Sequence, residues 1–118
     1  MEFHGPRTQI LTHQTVTDGT AVVYTVPVGK IFWLIESMLK TDAGATGAAD
    51  VKIRDESDVI KRHINWMDVK ENNKGIIPGC HFCPCWPVEM SAGEDIAVTS
   101  DSASLEAECD VFGFEVNA

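Results

Sequence analysis

Three of the chain's four cysteines crowd into one stretch, Cys80-His-Phe-Cys83-Pro-Cys85, and the fourth, Cys109, lies far downstream. Closely spaced thiolates can grip a tetrahedral metal such as zinc. A closed site needs four ligands, so Cys80, Cys83, Cys85 and either His81 or Cys109 would have to converge. Strand alternation argues against Cys109, which shares a face with Leu105 and Val111 and reads as a buried, inert thiol. Pro84 also stiffens the link between two would-be ligands. For Cys80, Cys83 and Cys85 a metal, a disulfide and free thiols all stay open, and each would be structural rather than catalytic.

Other side chains with chemical potential are dispersed. His4, His13, His63 and His81 fall in different segments, and no Ser or Cys is paired with a base by a recognisable motif. Gly44 and Gly47 lack the following Lys and the helix that a phosphate cradle requires. Asp55, Glu56 and Asp58 share one turn, readable as a solvated acidic tip or as a weak calcium site. The expectation is a chain with no catalytic residue and no cofactor, and not an enzyme.

The elements that must position these residues are strands. Apolar residues nowhere recur at helical spacing over the ten or so positions a helix would need. The segment Thr20-Ala-Val-Val-Tyr-Thr-Val26 is rich in β-branched and aromatic residues and is closed by Pro27-Val-Gly29. A longer strand follows over residues 30–40. Residues 50–55 alternate, with Val51 and Ile53 on one side and Lys52 and Arg54 on the other, and should form a hairpin with residues 59–64 through the polar turn at 55–58. Residues 86–90, 94–100 and 104–116 bring the count to about seven. The reading is all-β, a single-domain antiparallel β-sandwich of jelly-roll type over residues 20–118, preceded by an N-terminal arm over residues 1–19. Residues 42–49 are small and suit an exposed loop, whereas residues 65–85 form a long connection rich in apolar side chains, which usually docks against something.

Size and charge bound the function. A chain of 118 residues makes about one core. Nine Lys plus Arg against eighteen Asp plus Glu give a net charge of −9, which opposes nucleic acid as a partner. The longest apolar runs fall far short of the roughly 20 residues that cross a bilayer, so no membrane partner is expected. The opening Met-Glu-Phe-His-Gly-Pro-Arg has neither a basic head nor an apolar stretch, and production in the cytoplasm is expected.

One strand breaks the one-face pattern. In Ile31-Phe-Trp-Leu-Ile35, alternation would send Ile31, Trp33 and Ile35 into the core and Phe32 and Leu34 to the opposite face, leaving a second apolar surface to be covered. The last strand behaves similarly, because one of its faces changes from Glu106, Glu108 and Asp110 to Phe112 and Phe114. Soluble monomers seldom expose large contiguous apolar patches. Ile31, Phe32, Trp33, Leu34, Phe112 and Phe114 are therefore the expected interface of a homo-oligomer, the alternative being a cover supplied by the chain's own arm or long loop.

The stretch Tyr24-Thr-Val-Pro-Val-Gly-Lys-Ile-Phe-Trp-Leu34 resembles the opening of small jelly-roll proteins of virus particles, including head-decoration or cement proteins of tailed phages. Val51-Lys-Ile-Arg-Asp55, Trp86-Pro-Val88 with Ala92-Gly-Glu-Asp-Ile-Ala-Val98, and the close Val111-Phe-Gly-Phe-Glu115 are similar to further landmarks of that group. The resemblance spans roughly residues 20–115 and implies a virion protein on the outer capsid surface, assembled in the host cytoplasm, often trimeric, with the major capsid protein as partner. The cysteine-rich loop departs from the pattern. In that setting Phe3, Ile10, Trp66, Ile76, Ile77 and Phe82 are the expected capsid contacts. The rival expectation is a carbohydrate- or receptor-binding jelly roll of a virion fibre, with Trp66 or Trp86 stacking on sugar rings.

Overall fold

The computed structural model describes residues 6–42, 46–69 and 79–118, and among them nine strands and no helix. β1 is Arg7–Thr17, β2 Gly19–Thr25, β3 Lys30–Thr41, β4 Gly47–Arg54 and β5 Ile60–Val69. β6 is Gly79–Phe82, β7 Val88–Ser91, β8 Asp95–Ser100 and β9 Glu106–Asn117. All pairings are antiparallel and make two sheets. The first has the order β1-β9-β3, with β6 and β7 sharing the outer edge of β3, and the second the order β2-β8-β4-β5. Nested pairs of this kind, in which the first strand lies beside the last and the second beside the last but one, are the jelly-roll form of the β-sandwich.

Local chemistry sets the corners. Gly29 carries the left-handed φ of 80° that a type II turn needs at its third residue, and the Lys30 N–H donates to the Pro27 carbonyl at 3.2 Å. At the β4–β5 turn, Asp55 Oδ1 accepts the N–H groups of Ser57 and Val59 at 2.8 and 2.9 Å. That carboxylate organises its own backbone, as turn aspartates do. The hairpin expected of residues 50–55 and 59–64 is present as β4 and β5.

Between the sheets lies one core, built from Val26, Phe32, Leu34, Leu39, Val51, Met90, Ile96, Val98, Leu105 and Val111, each about fully buried. The core position of Phe32 and Leu34 corrects the expected facing of β3. Both are 0% exposed inside the sandwich, so neither can belong to a subunit interface, while Ile31 and Trp33 point to the outer face. Two features explain the reversal. The Phe32 ring occupies space that Gly113 leaves open, since a Cβ on Gly113 would lie 2.4 Å from Phe32 Cζ, and it packs at 4.5 Å between centroids on Tyr24. Further along, Leu34 faces Gly113 but Glu36 faces Phe112, so Ile35 is an extra residue, a β-bulge. An extra residue switches every later side chain to the other face. Ser37, Leu39 and Thr41 thus turn inward and Glu36, Met38 and Lys40 outward.

The arm expected over residues 1–19 is, from Arg7 on, an edge strand: β1 runs along the whole of β9, and its Ile10 and Val16 pack against the core. Of the long connection at 65–85, residues 65–69 extend β5 and Gly79–Phe82 form β6. Phe3, Ile76 and Ile77 lie outside the described residues.

Candidate functional site

Five strands build the outer face of the first sheet in register, β6 and β7 lying end to end along one edge. One row runs Gln9, Phe114, Trp33, Glu89; the next Leu11, Phe112, Glu36; the next His13, Asp110, Met38, His81. Alternation along β9 brings Phe112 and Phe114 side by side, their rings edge to face at 5.6 Å, and the Arg7 guanidinium sits 5.2 Å above Phe114. The outcome is an apolar strip of Trp33, Phe114, Phe112, Leu11 and Met38. Leu11 is 73% exposed and Met38 44%. Contacts between histidines and carboxylates edge the strip. His13 Nδ1 lies 2.6 Å from Asp110 Oδ1 and His13 Nε2 3.5 Å from Glu108 Oε1, while His81 Nε2 lies 3.0 Å from Glu36 Oε2. Leu11, His13, Glu36, Met38, Asp110 and Phe112 line an open depression of about 470 Å³ on this face.

The expected interface residues thus divide. Ile31, Trp33, Phe112 and Phe114 come together on the outer face, and Phe32 and Leu34 do not. Leu11 and Met38 complete the strip and were not foreseen. For Leu11 the signal was present in β1, where alternation sets it on the face opposite Ile10 and Val16, among Gln9, His13 and Thr15. For Met38 there was none, because the bulge at Ile35 has no sequence signature.

The expected capsid contacts form no single surface. Ile10 packs on the core from β1, Phe82 is half-buried on β6 beneath the Arg62 guanidinium at 5.3 Å, and Trp66 stands 64% exposed on the other sheet. Trp86 is 72% exposed in residues 83–87, the connection that interrupts the edge strand between β6 and β7 opposite the bulge.

The cysteines separate as well. Cys80 packs against the core, Cys83 and Cys85 are exposed, and all four cysteines are free thiols. Cys80 and Cys109 face Leu39 from opposite sides, so an entire strand stands between them. Two strand spacings are about 10 Å, beyond the roughly 7 Å that a disulfide spans. Cys109 is buried beside the Ser37 hydroxyl at 3.6 Å, and desolvation pushes its thiol up to about 11. Among the described residues no three His, Cys, Asp or Glu side chains gather as metal ligands.

No protein-family model matches the sequence, and no curated protein matches it. The fold is similar to a chain in the acidic stable capsid structure of Helicobacter pylori bacteriophage KHP30, with a TM-score of 0.58 and 14% identity over 96% of this chain and 100% of that one. Weaker likenesses are to a pentameric capsid protein isolated from metagenomic phage sequences (TM-score 0.45, 16% identity, 91% of this chain and 61% of that) and to the virus-like particle of extra small virus of the giant freshwater prawn Macrobrachium rosenbergii (TM-score 0.47, 13% identity, 98% and 82%). At such identities the likeness is one of fold.

Proposed function

We propose that this chain is a non-enzymatic structural subunit of a virus particle, which decorates the outside of a phage head as a homo-oligomer, a trimer favoured, with the major capsid protein as its second partner. The apolar strip on the outer face of the first sheet carries the reading. Leaving its exposed members, Leu11 and Met38, in water costs roughly 25 cal/mol per Å² of apolar area, and a second copy is the natural cover. Ile31, Trp33, Phe112 and Phe114, joined by Leu11 and Met38, make the self-contact. In this reading the exposed Trp86 in the edge connection meets the shell. End-to-end similarity of fold to a chain of a phage capsid supports the virion setting. Repetition around a shell turns modest contacts into firm attachment by multivalency.

Light scattering behind size exclusion tests the self-contact. The wild type should elute at about three times the chain mass of 12.9 kDa. The double variant Leu11→Asp, Met38→Asp should elute as a folded monomer, because both side chains are exposed on one chain. A wild type that stays monomeric at every concentration sinks self-association, and failure to sediment with emptied phage heads sinks the decoration role.

A further inference from the structure

The outer face of the second sheet carries a different surface. Trp66 on β5 faces Asp50 on β4, Asp50 faces Thr99 on β8, and Thr99 faces Thr20 on β2, so one row across four strands presents an indole, a carboxylate and two hydroxyls. The row is held by its own contacts. Thr20 and Thr99 hydroxyls are 2.8 Å apart, and Lys52 Nζ donates to Thr99 Oγ1 at 2.6 Å and to Asp50 Oδ1 at 3.0 Å. His63 Nδ1 lies 3.4 Å from Asp50 Oδ2. Beside the small side chain of Ala48 lies a hollow of about 100 Å³, bounded by Trp66, Asp50, Thr99 and Asp101. Asp101 Oδ1 accepts the Ala48 N–H at 2.7 Å.

We propose that this hollow is a carbohydrate subsite, in which a pyranose ring lays its C–H face on Trp66 and turns hydroxyls toward Asp50, Thr99 and Asp101. The chemistry selects a neutral polyol. A sugar needs acceptors and donors mixed at one place, and a carboxylate offers about four lone-pair sites, so Asp50 keeps acceptor capacity beyond Lys52 and His63. An arginine of a protein partner could also stack on the indole, yet it would lie beside the Lys52 ammonium that already neutralises Asp50. An anionic guest would meet Asp50 and Asp101 together. Lys52, whose side chain is only 10% exposed, fixes the carboxylate before any ligand arrives, which lowers the ordering cost of binding. The hollow admits only part of a ring, so successive units of an oligosaccharide would extend along the open sheet.

An array of defined glycans, followed by calorimetric titration with maltohexaose, cellohexaose and chitohexaose, tests the subsite. At least one glycan should bind saturably, with Trp66→Ala weakening it at least tenfold, Trp66→Phe retaining part of the affinity and Trp86→Ala leaving it unchanged. Because Trp66 is 64% exposed, Trp66→Ala should melt and oligomerise as the wild type does, which keeps lost binding distinct from lost folding or assembly. Absence of saturable binding to any glycan, or binding indifferent to Trp66→Ala, overturns the proposal. So does Trp66-dependent capture of arginine-rich peptides in the absence of a glycan ligand, which would make the indole a protein anchor.

Discussion

Gly113 and Cys109 show how single side chains on β9 set what the core tolerates. A Cβ at Gly113 would come within 2.3 Å of the Trp33 carbonyl oxygen and 2.4 Å of Phe32 Cζ. Overpacking costs about 1–3 kcal/mol and sometimes more, and here a backbone atom cannot move aside as a flexible side chain could. Gly113→Ala should therefore lose about 3 kcal/mol in urea titration, and a loss under about 0.5 kcal/mol would mean that the ring and strand relax freely. At Cys109, burial lifts the folded thiol above its ordinary 9.0 to about 11. The native state then holds this proton more tightly than the unfolded chain does. Its contribution is complete below about pH 9 and fades as the pH climbs through about 11. At about 1.4 kcal/mol per pH unit, wild type should lose on the order of 2 kcal/mol more than Cys109→Ala across that window. Tyr24, also raised by burial and by Glu115, is common to both proteins and cancels in the comparison. Equal slopes for the two proteins would place Cys109 in water.

β3 is the element on which both faces of the first sheet depend. Its bulge lets Phe32 and Leu34 fill one end of the core and Leu39 the other, while Trp33 and Met38 share the opposite face. Deleting Ile35 would restore even pairing with β9 and force Ser37, Leu39 and Thr41 outward or Phe32 and Leu34 outward. A strand slipped by one residue exchanges its entire buried set, so the deletion should yield unfolded or aggregated protein by circular dichroism and near-ultraviolet signal. A native-like spectrum would show that β3 can slide and that the bulge is dispensable. The broken outer edge of β3 follows the same logic. β6 pairs with residues 37–40 and β7 with residues 31–34, and the connection at 83–87 leaves the sheet where the bulge lies.

For the whole molecule the governing quantities are a net charge of −9 and an outer-face apolar strip on which Leu11 and Met38 stand exposed. Copies of one acidic chain repel at long range, whereas apolar contact acts at close range. Screening shortens to about 10 Å at 0.1 M salt. Self-association measured by sedimentation should tighten as sodium chloride rises from about 20 to about 300 mM. Weakening with salt would instead point to ion pairs across the contact, with His13, Asp110, His81 and Glu36 the groups at hand.

By itself the sequence determined most of the strands, β1 and β6 excepted, because β-branched and aromatic runs broken by Pro, Gly and Asp specify extended segments and turns through local sterics. It also determined that β3 and β9 are apolar on both faces. Which face of β3 looks inward was decided only in three dimensions. Period-two alternation fixes which residues travel together but not which set is buried, and that choice fell to the space over Gly113 and to a bulge that only pairing with β9 defines. The place of β1 was likewise tertiary, since an edge strand earns its position from a partner nearly a hundred residues away. The hollow beside Trp66 has the same origin: Thr20, Asp50, Trp66 and Thr99 are remote in the chain and meet because sheet order, a long-range property, aligns them in one row.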